Sequence, residues 1–119
     1  MKLLRVGEFN QEIVATLDEE NKLRDLSSYI KDLNPSTFNE DNLKKLKKLN
    51  LNDLPEIKPN RIGSCFNKPT NYFCVGKNFH LHALEVGSKA PKDPMIFSKA
   101  ISCLSGPNDN IIIPKDSSK

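Results

Sequence analysis

Apolar and polar positions alternate in short blocks from the first residues onward. Leu3, Leu4 and Val6 form a brief apolar run that Gly7-Glu8-Phe9-Asn10 can turn. Residues 11–17 then place Ile13, Ala15 and Leu17 on one face, as a half-buried strand does. A polar turn at Asp18-Glu19-Glu20-Asn21 leads into a further short run at 22–26, so the opening reads as a β meander. Leu26, Tyr29, Ile30 and Leu33 repeat at helical spacing behind Asp25 or Ser27 as cap, which predicts a helix ended by Asn34-Pro35. Thr37-x-x-Glu40 matches a capping box ahead of a second helix over 42–50. There Leu43, Leu46 and Leu49 form the apolar stripe, and Lys44, Lys45, Lys47 and Lys48 fill the other face.

Pro55, Pro59, Asn60, Gly63 and Pro69 punctuate the next stretch, which reads as a connector between a domain at 1–60 and another at 61–119. Tyr72-Phe73-Cys74-Val75 has the continuous apolar character of a strand buried on both faces. Gly76 stops it, Asn78 can cap a short helix over 78–86, and Gly87 ends that helix. A loop at 90–94, a strand at 95–97, a turn at 105–109 and a buried-type strand at 111–113 complete the pattern. The expected class is α+β: a small N-terminal α/β subdomain followed by a β-rich segment.

Composition narrows the class. At 119 residues the chain has room for one compact domain or less. Its hydrophobic content of 37% is lean, but Leu, Ile, Val and Phe recur throughout, which excludes a disordered chain. No apolar run approaches the roughly 20 residues of a membrane-spanning helix, and the first apolar stretch is too short for a secretory signal. The expectation is a cytoplasmic protein with neither membrane nor nucleic-acid partner. Net charge is +3, distributed unevenly: −1 over residues 1–60 and +4 over 61–119. The basic half suits an anionic ligand or acidic groups supplied from elsewhere. Cys65, Cys74 and Cys103 show no CxxC spacing and read as reduced thiols.

Both histidines fall in the strand–Gly–helix unit at 72–87. His82 and Glu85 are three apart and share a helix face. A carboxylate beside an imidazole fixes its tautomer and raises its basicity, as a general base requires; an ordinary surface pair has the same spacing. Two other chemistries stay open. Cys74, His80, His82 and Cys103 are residue types that suit zinc, though in no familiar spacing. The lysine-rich helix suits an anionic surface, or a solvated face over a small core.

The segment Tyr72-Phe-Cys-Val-Gly-Lys-Asn-Phe-His-Leu-His-Ala-Leu-Glu85 resembles the hydrophobic-strand, Gly-x-Asn-Tyr-x-x-His-x-x-Glu motif of the fumarylacetoacetate hydrolase family, with Phe79 in place of Tyr. Downstream, Pro91-Lys-Asp-Pro-Met-Ile-Phe-Ser-Lys-Ala-Ile-Ser102 resembles the family's proline-led strand ending in Phe-x-Lys and Thr/Ser. Gly106-Pro-Asn-Asp-Asn-Ile-Ile-Ile-Pro114 is similar to its turn and following strand. The leader, with Gly7, Leu17-Asp18 and Arg24-Asp25-Leu26-Ser27, is similar to that of bacterial ureidoglycolate lyases and 2,4-diketo-3-deoxy-sugar-acid hydrolases. The resemblance implies an enzyme using Mg2+ or Mn2+ on a diketo or 2-oxo acid, usually a homodimer, on a mixed β-rich catalytic fold. It implies that His82 and Glu85 activate water, that Lys99 stabilises developing negative charge, and that Asn78, Phe79 and Ser102 bind substrate. His80 has no counterpart in that pattern. The family's acidic metal ligands lie on a strand that would begin near Asp116-Ser117-Ser118-Lys119, which implies an incomplete catalytic fold, inactive alone, with unpaired strand edges that favour self-association.

Overall fold

A computed structural model describes the chain apart from Ala90, Ser118 and Lys119. The first residue of the expected 90–94 loop and the last two of the 116–119 segment thus lie outside the described residues. Strands β1 (Leu3–Val6), β2 (Ile13–Leu17) and β3 (Leu23–Asp25) form the antiparallel meander that the sequence predicts, and β4 (Glu56–Ile57) pairs with β3. Leu4 lies opposite Ala15, and Thr16 opposite Arg24. Local chemistry fixes the β2–β3 turn. The Asp18 carboxylate accepts the backbone N–H groups of Glu20 and Lys22 at 2.9 Å each and Arg24 Nε at 2.8 Å, while Asn21 adopts a left-handed φ of 62°.

Val14, Leu26, Ile30, Leu33, Leu46 and Leu54 form the core, with Leu3, Leu49, Leu51 and Phe66 packed against it. The core takes Val14 from the face of β2 opposite to Ile13, Ala15 and Leu17. Val14, Ala15 and Thr16 are all buried, so this inner strand is covered on both sides and strict alternation fails.

The expected helix over 26–33 is not formed. One turn exists, with Ile30 N–H donating to Leu26 O at 3.0 Å, and then the backbone finds other partners. Asp25 Oδ1 accepts Ser27 N–H, Asp32 Oδ1 accepts Leu33 N–H, and Leu33 O accepts Asn67 N–H at 2.7 Å. Leu26, Ile30 and Leu33 still reach the core, while Tyr29 is exposed. Helix α1 (Glu40–Lys47) is capped by Asn39, whose side chain accepts Asn42 N–H at 2.9 Å. Thr37 does not cap it, because its hydroxyl donates to Asp32 O. The lysine face of α1 is solvated, with Lys44 paired to Glu40 at 2.8 Å.

A chain of ion pairs joins β1 to segments that lack regular structure. Arg5, buried in β1, donates to Glu12 at 3.1 Å and to Asp32 Oδ1 at 2.5 Å. Arg61 donates to the other Glu12 oxygen and to Asp109, both at 2.7 Å, and its guanidinium lies 5.5 Å from the Phe9 ring centroid. Asn67 also donates to Asp32 at 2.6 Å. Asp109 Oδ2 accepts Gly106 N–H at 2.7 Å, and a Cβ at Gly106 would collide with the Ile62 carbonyl, so only glycine allows this approach. Burial pushes the Glu12 and Asp32 carboxyls up, but their hydrogen bonds and the guanidinium charges outweigh it and hold both below the usual range. The Arg61 hydrogen bond does the same for Asp109.

The described chain divides into two compact units, Met1–Lys68 with the stretch from Leu104 onward, and Pro69–Cys103. In the second unit β5 (Phe73–Gly76) and β6 (Met95–Ser98) pair antiparallel, with Phe73 opposite Ser98 and Gly76 opposite Met95. Helix α2 (His80–Glu85) lies between them in sequence, and a 3-10 turn spans Ile101–Cys103. The runs that read as strands buried on both faces are not buried: Phe73 and Val75 are exposed and Tyr72 and Cys74 half-buried, and Ile111, Ile112 and Ile113 of the first unit are exposed. Residues 111–113 form no strand, and Ile111 is 92% exposed, because no described strand pairs with them. The architecture is a small mixed α+β chain. No described helix is long and apolar enough to cross a membrane.

Leu26→Ala should lower stability by about 2–5 kcal/mol in urea titrations, the range for a fully buried leucine, and Ile112→Ala by less than about 0.5 kcal/mol. Equal losses would show that the core is misassigned. Depressed carboxyls in the fold mean that the unfolded chain takes up protons first. Their contribution is complete above about pH 4 and is lost as pH falls through the lower folded values. The melting temperature should therefore drop below about pH 4, and less steeply for Asp32→Asn. A profile unchanged to pH 3 in both proteins would contradict this.

Candidate active site

The candidate residues lie in the Pro69–Cys103 unit. β5 ends at Gly76, Lys77 takes a left-handed φ of 51°, and the chain turns into α2. The N-cap position of α2 is Phe79, without a side-chain hydrogen bond, rather than Asn78 as the sequence pattern suggests. The other end follows the pattern. Gly87 takes φ 68°, its N–H donates to Leu84 O at 2.9 Å, and Ser88 N–H donates to Ala83 O at 2.9 Å.

On α2, His82 Nδ1 lies 3.3 Å from Glu85 Oε2. Three-residue spacing brings the two side chains onto one face, and both are exposed. When Nδ1 carries the proton and donates to the carboxylate, the Nε2 lone pair remains available to accept a proton from water. Lys99 follows β6 directly, held by its backbone N–H donating to Tyr72 O at 2.9 Å, and is exposed. Asn78, Phe79 and Ser102 are exposed as well, Ser102 within the Ile101–Cys103 turn. Among the described residues, no hydrogen bond or ion pair joins Lys99, Asn78 or Ser102 to His82 and Glu85. The structure thus brings the histidine and the carboxylate together.

No three His, Cys, Asp or Glu side chains among the described residues converge as a metal site. Cys74, His80, His82 and Cys103 are therefore not gathered into a zinc site, nor does any carboxylate set fit Mg2+ or Mn2+. A partly buried ion-pair network of Arg5, Glu12, Asp32, Arg61 and Asp109 belongs to the other unit. Its only trace in the sequence is an arginine set in a Pro/Gly-rich stretch. An apolar groove of about 450 Å³ in that unit, lined by Leu3, Leu33, Phe38, Leu43 and Phe66 among others, contains none of the candidate residues.

No protein-family model matches the chain. It is 39% identical over 120 residues to a Burkholderia multivorans protein and 38% identical to proteins of Burkholderia lata and Burkholderia ambifaria, all carrying the name "Putative hydrolase". Each alignment covers 100% of this chain and 43% of the relative, so the chain spans less than half the length of the proteins it matches.

The left-handed backbone at Lys77 costs a non-glycine residue roughly 1–2 kcal/mol. Lys77→Gly should relieve part of that strain, seen as slower amide exchange in β5 and β6. Faster exchange in the variant would mean that the lysine side chain itself holds the turn.

Proposed function

We propose that this chain carries the water-activating part of a hydrolase of the fumarylacetoacetate hydrolase type. Its substrate is a diketo or 2-oxo acid, in which a carbon–carbon bond flanked by carbonyls is cleaved. The names of the Burkholderia relatives support the reaction class, and the pairing of His82 with Glu85 at 3.3 Å is the observation that carries the assignment.

Glu85 holds the His82 ring with Nδ1–H directed at its carboxylate, and Nε2 takes a proton from water as the water oxygen bonds to the substrate carbonyl carbon. The carbon–carbon bond then breaks, leaving a carboxylic acid on one side and an enolate on the other. The enolate takes up the proton held on His82. The Lys99 ammonium stabilises the negative charge that develops on the oxygens. Asn78, Phe79 and Ser102 contact the substrate in this reading. Enzymes of this type use Mg2+ or Mn2+, and the described residues do not fit such a site. The metal ligands are assigned to the part of the relatives' length that this chain does not span, and the steps above use only this chain's own residues. The complete enzyme is read as a homodimer.

Fused to the remaining sequence of the Burkholderia multivorans relative, the chain should cleave an acylpyruvate in Mg2+. His82→Gln and Glu85→Gln should each lower kcat by about 10²-fold or more, and Lys99→Met should lower it as well. Without that sequence the chain should show no turnover. Full activity in the His82→Gln fusion, or an inactive unmutated fusion, would refute the reading, and turnover by the chain alone would refute the placement of the ligands.

A further inference from the structure

The apolar groove of the first unit has walls that the fold holds in place by itself. Leu33 belongs to the core, and its carbonyl accepts the Asn67 N–H at 2.7 Å. Phe38 stands edge-on to Phe66 with ring centroids 5.5 Å apart, and its N–H donates to Asn34 O at 2.9 Å. Leu3 comes from β1 and Leu43 from α1. A cleft of about 450 Å³ falls in the range of small-molecule sites, which are mostly apolar with a few polar groups that orient the ligand. The polar side chains among those lining it are the Lys47 ammonium, from the last turn of α1, and the exposed Cys65 thiol.

Lys47 decides the charge of the ligand. Its neighbour Lys44 is paired with Glu40 at 2.8 Å, whereas no ion pair joins Lys47 to a carboxylate among the described residues. Asp18 borders an adjoining cleft with Lys47, but its oxygens are taken by Arg24 and by the N–H groups of Glu20 and Lys22. An apolar trough beside an unpaired cation complements an amphipathic anion: the tail leaves water against Leu3, Phe38 and Phe66, and the head meets the ammonium. We propose that this groove binds a medium-chain monocarboxylate, its alkyl chain along the apolar walls and its carboxylate at Lys47. None of His82, Glu85 and Lys99 lines the groove, and the inference stands independently of the reaction proposed above.

The test reads alkylation of Cys65 by iodoacetamide in the whole chain, with the exposed Cys103 of the other unit as internal control. Octanoate at about ten times its Kd should slow labelling of Cys65 about tenfold, because only the unoccupied fraction reacts, and should leave Cys103 unchanged. The concentration giving half protection should fall about fourfold for each methylene added from hexanoate to octanoate, the gain for a buried CH2. Octanoate should bind about two- to fivefold more tightly than octanol, the contribution of one exposed ion pair, and octylammonium should bind less well than either. Lys47→Met should erase the preference for octanoate over octanol, whereas Lys45→Met, on the same helix but outside the groove, should keep it. No protection of Cys65, equal slowing of Cys103, equal binding of octanol and octanoate, or a preference that survives in Lys47→Met would each overturn the proposal. So would dimerisation that hides Cys65 and does not respond to octanoate, since the occupant would then be a second copy.

Discussion

Arg5 is the group on which the first unit depends. A guanidinium on a buried strand position loses its water and must be repaid by oxygen atoms held in fixed places. Those atoms come from Glu12 before β2, Asp32 after the single helical turn, and the Ser64 carbonyl. Glu12 in turn is shared with Arg61, whose second partner is Asp109. Five charged side chains thus tie together five places in the sequence, and most of the tied segments have no strand or helix of their own. The apolar core beside them is modest, so the polar chain does much of the work of fixing loop positions, and every buried side-chain polar atom among the described residues has a partner.

The same dependence explains which parts of the fold were legible. The meander could be read because β1, β2 and β3 are adjacent in sequence, separated by turns whose chemistry is local: Gly7, and Asp18 with Asn21. Helix α2 could be read because Gly87 ends it. The stretch 26–33 could not, since helical spacing of Leu26, Ile30 and Leu33 is also satisfied by one turn plus an irregular segment. What decides between them is long-range: Asn67 taking the Leu33 carbonyl and Arg5 taking the Asp32 carboxylate. Asn39 displaced Thr37 as cap for a related reason, because the Thr37 hydroxyl was claimed by Asp32 O. Strand character at 111–113 was read from composition alone, and a strand needs a partner that composition does not provide.

The candidate site was legible to the same degree. Spacing alone places His82 and Glu85 within reach of each other, because a helix brings positions three apart onto one face. Spacing carries no information on whether Lys99, after β6, approaches them, because that depends on packing around the hairpin rather than on any local rule. His82 and Glu85 form an exposed pair, in a unit where Phe73, Val75, Ile96 and Phe97 are exposed as well. Catalytic use of such a pair requires surroundings that exclude most of that water and hold a carbonyl close to Nε2.

Gly106 places a sharper limit on this sequence than any core position does. Core leucines tolerate exchange in proportion to the volume lost or gained, so a scan across them would give a graded response. At position 106 the obstacle is the Ile62 carbonyl, a backbone group that cannot rotate aside, with Asp109 Oδ2 only 2.9 Å from where a Cβ would sit. Alanine meets it as fully as tryptophan does. Tolerance there is a step rather than a slope, and the step falls between hydrogen and carbon.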